Sequence, residues 1–459
     1  MNHQTFGRIV VVALVLAALA GTGPATADAR ISADLLSKMA TALPLQQLEI
    51  VVTFKQPGPP RASQIQALKA LGITRGVSFQ ALPIAGALAT PWSINQLAKR
   101  SDVLSITANG TLIYYNHDAR QLSGVDQVQS DPDLGFSGAG VTVLVNDSGI
   151  DALHSDLAFG SHVVENVQAL TNLSAVLTFL PVTYLEGQPN TDISSGHGTH
   201  CAGTVGGSGA QSAGFYRGVA PGALLVGYGS GAVISILDAV GGFDYAVANK
   251  DRFAAPIRVI SNSWGSSGAF DPTDPVNVAS YAAFKAGMLV VFAAGNSGPD
   301  ANTHNPYAQA PWVVSVAAGN KDGTLADFSS RGNPGESGTF TMPDGQEWTY
   351  VNEPTLVATG VDIVSTRAIT GLLPVLALPQ DLSLDPMHIP FYTHMSGTSM
   401  ATPHVAGIAA LLFDADPTLT PAEVKQILAD TANPMAGRSS YEVGAGHVDA
   451  YEAATVAAQ

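Results

Sequence analysis

The chain has one cysteine, Cys201, in 459 residues. That excludes any disulfide within it and leaves stability to a packed core. Charge is also scarce, with Lys, Arg, Asp and Glu making up 12% of the sequence. Positive charge is the rarer sign: 20 Lys and Arg face 36 Asp and Glu, a net of −16. Such a balance argues against nucleic acid and anionic lipid as partners, since both would be repelled. Long apolar runs are missing too. Ile9 to Ala20 falls short of the roughly 20 residues that a membrane span needs, so no stable membrane insertion is expected. With Arg8 before it and Ala25-Thr26-Ala27 after it, that run reads instead as the core of a secretion signal over residues 1–27, with a small-residue cleavage site.

Glycine is plentiful, at 47 residues, and it gathers around particular polar side chains. Ser399 lies in Gly397-Thr398-Ser399-Met400-Ala401-Thr402-Pro403-His404-Val405-Ala406-Gly407, just before the apolar run Ile408 to Phe413. A serine there opens a buried helix, where free N–H groups and the helix dipole favour developing negative charge. Asp147 follows the apolar strand Val141 to Val145, and His197 opens Gly196-His197-Gly198-Thr199-His200-Cys201-Ala202-Gly203-Thr204. A fourth run is Phe292-Ala293-Ala294-Gly295-Asn296-Ser297-Gly298. These four motifs, with Asp, His and Ser in that chain order, resemble those of the subtilisin-like serine proteases, the subtilases.

The resemblance implies a serine endopeptidase working through Asp147, His197 and Ser399. Neutral histidine is the side chain suited to take a serine proton near pH 7. His197 would activate Ser399 and return the proton to the leaving amine, while Asp147 fixes the imidazole tautomer. Asn296 would donate to the oxyanion. Gly229-Ser230-Gly231 and Ser263-Trp264-Gly265 match segments that hold a peptide as an added strand. The chemistry requires no cofactor. Calcium is a habit of the family, and Asp156 in His154-Ser155-Asp156-Leu157 matches a residue that binds it in some members. Cys201, beside the histidine, reads as a small packing residue, and His200 and His404 read as structural.

The implied fold is α/β: a three-layer subtilisin-like domain over residues 116–459, with a mainly parallel central sheet. From Val141 onward strands alternate with helices, as such a sheet requires. Thr420-Pro421-Ala422-Glu423 is a capping box with proline at the first helical position. Residues 28–115 read as a smaller α+β unit of order β-α-β-β-α-β, resembling the subtilase propeptide, an intramolecular chaperone and inhibitor. Residues 28–115 carry eight Lys and Arg against four Asp and Glu, net +4, and residues 116–459 carry eleven against thirty-two, net −21.

Asn146 stands where the family usually has an apolar residue, and strand alternation should turn it away from Asp147. Residues 333–353 and 368–392 read as insertions. Pro343-Asp344-Gly345 between Phe340 and Trp348 predicts an exposed hairpin in the first. The second precedes the Ser399 motif and is placed at the border of the cleft. The expected protein is thus a secreted enzyme made as a zymogen, with peptides and its own prosegment as partners. The alternative is a catalytically silent peptide-binding member of the same fold. A lipase or esterase would need a Gly-x-Ser-x-Gly elbow with His last, and neither is present.

Overall fold

The computed structural model describes residues 29–56, 60–78, 83–108, 117–170, 182–232 and 234–459. The expected signal segment 1–27 lies outside the described residues, as does 109–116, which holds the end of the expected prosegment. The chain divides into two compact units, 1–112 and 113–459.

In the first unit, strands Leu48–Phe54, Gly76–Ser78, Ile84–Ala89 and Val103–Ala108 interleave with helices Ala62–Ala70 and Pro91–Ala98. This is the β-α-β-β-α-β order. Strand Leu48–Phe54 buries Ile50, Val52 and Phe54 while the residues between them stay partly exposed, the period-two pattern of a half-buried strand. The helices close the core with Leu68, Ile94 and Leu97. Two elements were not foreseen, a helix at Ala33–Thr41 and a strand at Arg30–Ile31 that pairs parallel to Val103–Ala108.

The second unit is built on an eight-stranded sheet. Its strands are β1 (Thr142–Asp147), β2 (Val163–Leu170), β3 (Thr183–Leu185), β4 (Leu224–Gly229), β5 (Ile257–Asn262), β6 (Leu289–Ala293), β7 (Val313–Gly319) and β8 (Leu356–Thr359). They lie in the order β8-β7-β6-β5-β1-β4-β2-β3. All pairs are parallel except β2 with β3. The helices used below are α1 (His197–Gly206), α2 (Ile236–Ala248), α3 (Pro275–Lys285), α4 (Thr398–Ala415), α5 (Pro421–Asp430) and α6 (Ala450–Ala457).

Because successive strand residues face opposite sides, the sheet feeds two cores. Val143 and Val145 of β1 pack with Val259 and Val291 against α1, α4, α5 and α6. Leu144 packs with Val226, Ile260 and Phe292 against α2 and α3. Helix α4 buries every residue from Met400 to Phe413, as expected of a helix apolar on all sides. The hairpin forms as predicted, Ser337–Thr341 pairing with Glu347–Val351 and setting Phe340 opposite Trp348.

Candidate active site

The carboxyl ends of the central strands are where ligands gather on an open parallel sheet, and three of the expected residues meet there. Asp147 is the last residue of β1, and His197 is the first of α1. Its Nδ1 lies 2.7 Å from Asp147 Oδ1, which also accepts the Ser148 N–H at 2.7 Å. The two chain segments touch because residue 198 is glycine. A Cβ there would lie 2.2 Å from the Gly149 carbonyl oxygen and 3.1 Å from Asp147 Cβ. Asn146, one residue back, points to the opposite face as expected, donating to Ala239 O and Asn262 Oδ1.

His197 is poised between two opposing effects. Burial disfavours a charged ring, but the Asp147 carboxylate against it outweighs that cost and holds the imidazole well above its ordinary pKa. Cys201, one turn along α1, is fully buried with Sγ 3.8 Å from His197 Nδ1 and 3.5 Å from Ser399 O. Burial pushes its thiol pKa up, so near neutral pH it is an uncharged packing group beneath the pair. His200 bonds the carbonyls of Ile363 and Thr393, and burial lowers its pKa to about 3. His404 bonds Ser123 Oγ at 2.7 Å and is likewise lowered by burial to about 3.

Ser399 sits in the first turn of α4, and the bonding there follows from the sequence. Pro403 has no N–H, so the Ser399 carbonyl lacks its usual helix partner. Ser263 Oγ donates to that carbonyl at 2.9 Å, and the Ser399 hydroxyl donates back to the Ser263 carbonyl at 2.8 Å. At the helix end, Asn296 Oδ1 accepts the Thr398 N–H at 2.9 Å and the Thr398 hydroxyl at 2.8 Å. A backbone N–H can only donate, so this contact fixes the amide: oxygen on the helix, NH2 outward. Met400 and Ala401 donate to Gly397 O. The Ser399 N–H is left with no partner among the described residues, beside the outward NH2 of Asn296. That pair of donors is suited to an oxyanion.

A cavity of about 490 Å³ opens next to Ser399 and Asn296, walled by Trp264 to Gly268 and by Asn302, Thr303 and Ser330. Trp264 is held by its indole N–H on Asn146 O at 2.7 Å and packs edge-on to Phe292. Of the expected substrate-binding residues, Ser263 touches Ser399 and Trp264 and Gly265 line the cavity. Gly229, Ser230 and Gly231 lie at the end of β4, where the Ser230 and Gly231 N–H groups donate to Asp147 O and Ser148 O.

Asp156 is buried, and protein groups bond both oxygens of its carboxylate. Its Oδ1 accepts the Gln211 N–H and its Oδ2 the Tyr392 hydroxyl at 2.7 Å. Among the described residues, the only cluster of acidic, His and Cys ligand atoms close enough to share a metal is Asp147, His197 and Cys201.

The model of the subtilase family matches residues 138–446. The chain belongs to that family. Serine protease AprX of Bacillus subtilis is 35% identical over 332 residues, covering 69% of this chain and 66% of AprX, just under two thirds of its length. Subtilisin E of the same species is 31% identical over 343 residues, covering 71% of this chain and 70% of that protein. Among solved structures, that of Sphericase superposes with a TM-score of 0.53 at 27% identity, covering 71% of this chain and 97% of that one. The subtilisin-like α/β fold and the serine endopeptidase class of this subtilase follow.

Two functional neighbours escaped the sequence reading. Asp192 accepts Ser148 Oγ and the Gly196 N–H on one oxygen, and the Thr199 N–H and hydroxyl on the other. It thereby ties the turn after Asp147 to the helix start that carries His197. Its local signal was weak, because the N-cap position belongs to Gly196 and Asp192 reaches the Thr199 N–H of the first turn from further back. Thr398, which aligns Asn296, had no signal beyond its place in the motif.

Proposed function

We propose that this chain is an exported serine endopeptidase, made with a prosegment over residues 28–115 that it removes itself, and that Asp147, His197 and Ser399 carry the reaction. The observation that supports this most directly is the donor pair at the head of α4, the free Ser399 N–H beside the Asn296 NH2, within the same site as the 2.7 Å His197–Asp147 contact.

In the reaction the Ser399 hydroxyl leaves the Ser263 carbonyl and gives its proton to neutral His197 as its oxygen attacks the peptide carbonyl. Asp147 holds the ring by Nδ1 and stabilises the imidazolium that forms. Negative charge on the former carbonyl oxygen is met by the Ser399 N–H and Asn296 NH2. His197 then protonates the leaving amine, an acyl-enzyme remains on Ser399, and water repeats the sequence to release it. Substrate held along Ser263 to Gly265 and the edge near Gly229 to Gly231 would be bound largely through its main chain, which favours broad side-chain tolerance. No step passes through a metal.

The test is Ser399→Ala. Peptide hydrolysis and labelling by a serine-directed phosphonate should both vanish while circular dichroism is unchanged. Substantial turnover in the variant sinks the assignment. A native protein that binds peptides but turns none over would establish the silent peptide-binding alternative.

A further inference from the structure

The insertion 368–392 forms two short helices, Leu372–Leu376 and Leu378–Asp381, joined through Ala377 in helical conformation. Its inner face is built conventionally. Pro374, Ala377, Asp381 and Leu384 are buried, and Asp381 anchors it through Arg367 at 2.7 Å, Thr393 Oγ1 at 2.8 Å and the His394 N–H at 2.9 Å. The outer face is unusual. A surface helix normally turns polar residues to water, but here Leu372, Val375, Leu376 and Leu382 recur at helical spacing on the outside. Leu376 and Leu382 are 64% and 74% exposed. From Ala368 to Leu384 the one charged side chain is the buried Asp381, and Asp385 follows it on the surface. Exposed Ile193 and Ile369 extend the apolar surface. Contiguous apolar surface of this kind marks an interaction site.

Its position identifies the occupant. The helix start is tied to the loop that leads into His197: the Leu372 and Leu373 N–H groups donate to Ser194 O and Ser195 O, both at 3.1 Å. Pro374 packs so closely that a Cβ on Gly196 would lie 2.6 Å from its Cδ. The cavity at Asn296 and Ser399 lies elsewhere, and its lining includes no residue of this loop. It suits the acyl side of the substrate, whereas His197 must face the leaving amine. We propose that the apolar face of the insertion docks an apolar segment of the substrate chain on the leaving-group side of the scissile bond. This rests on the hydrolytic reading above. Lipid is the poorer occupant, since the unit carrying the helix has a net charge of −21 over residues 116–459 and no basic side chain on this face to offset it.

The test compares matched peptides that carry leucines or serines two to four residues beyond the cleaved bond, against the whole protein and its Leu372→Gln/Leu376→Gln variant. Native protein should favour the leucine peptide by roughly tenfold or more in kcat/KM, and the variant should cut that ratio to below about threefold. An anilide substrate, with nothing beyond the scissile bond, reports the hydrolytic reading separately. If the anilide is cleaved and the leucine preference is absent, or survives in the variant, the docking surface is wrong and the hydrolytic reading stands. If the anilide is not cleaved, fluorescence anisotropy with the same two peptides decides the surface alone: tighter binding of the leucine peptide, lost in the variant, supports it, and equal binding overturns it. A native dimer that the variant dissociates, or flotation with phosphatidylcholine vesicles that the variant abolishes, accompanied by an unchanged peptide ratio, reassigns the face to a second copy or to lipid.

Discussion

Asp192→Asn is the most exacting probe of how the site is held together. The side chain keeps its shape but exchanges one acceptor oxygen for an NH2. Two of its four partners, the Ser148 and Thr199 hydroxyls, can turn to suit either group. The other two are backbone N–H groups, Gly196 at 2.8 Å on one oxygen and Thr199 at 3.0 Å on the other, and they cannot. Whichever way the amide sits, one buried N–H faces another donor, and an orphaned donor costs about 1–3 kcal/mol. The break also loosens the first turn of α1, so kcat/KM on an anilide should fall by roughly 10- to 100-fold, the sensitivity expected of a misplaced catalytic base. Urea unfolding in a Ser399→Ala background, where self-digestion cannot interfere, measures the stability change. Its pH dependence has a definite sign. Burial raises the Asp192 pKa above its ordinary 3.8, so the folded state binds the proton more tightly than the unfolded chain does. The advantage of the native residue over Asn is therefore greatest below pH 3.8 and declines as pH rises through the folded-state pKa. Equal unfolding midpoints at neutral pH, or an advantage that grows with pH, would refute the reasoning.

Three further outcomes are expected. Asn296→Ala should lower kcat by roughly a hundred- to a thousand-fold with little change in KM, a range established on subtilisin; a KM effect alone would mean that the amide only binds substrate. Because Asp147 lifts the His197 pKa, the acid limb of kcat/KM should fall above pH 6.5, and in Asp147→Asn it should move to lower pH, since the main group opposing burial is then gone; a limb that stays in place would point to another base. N-terminal sequencing of the mature enzyme should find a start between about Tyr114 and Asp118, and separately made residues 28–115 should inhibit it less as salt rises, because opposite net charges of +4 and −21 attract at long range and are screened; a start near Asp28 with no inhibition would make the region an accessory domain.

The sequence by itself determined whatever depends on local pattern. Alternating and continuous apolar runs marked β1, β4, β5, β6 and β7 of the central sheet but not β2, β3 or β8, and Thr420 with Glu423 forms the capping box it advertised. Strand periodicity alone sent Asn146 and Asp147 to opposite faces, and four short motifs named the residues proposed to react. Tertiary structure decided what depends on which segments meet. Asp156 matches an acidic residue of the family, and the partners of its carboxylate, Gln211 and Tyr392, both lie far from it along the chain. Asp192 joins the turn after β1 to α1 through contacts that span 44 residues on one side and seven on the other, so no local window contains both. The insertion 368–392 reads in sequence only as an added segment at the border of the cleft. Only packing, which buries Pro374, Ala377 and Leu384 and leaves Leu372, Leu376 and Leu382 in water, separates the face that builds the core from the face that remains free to bind.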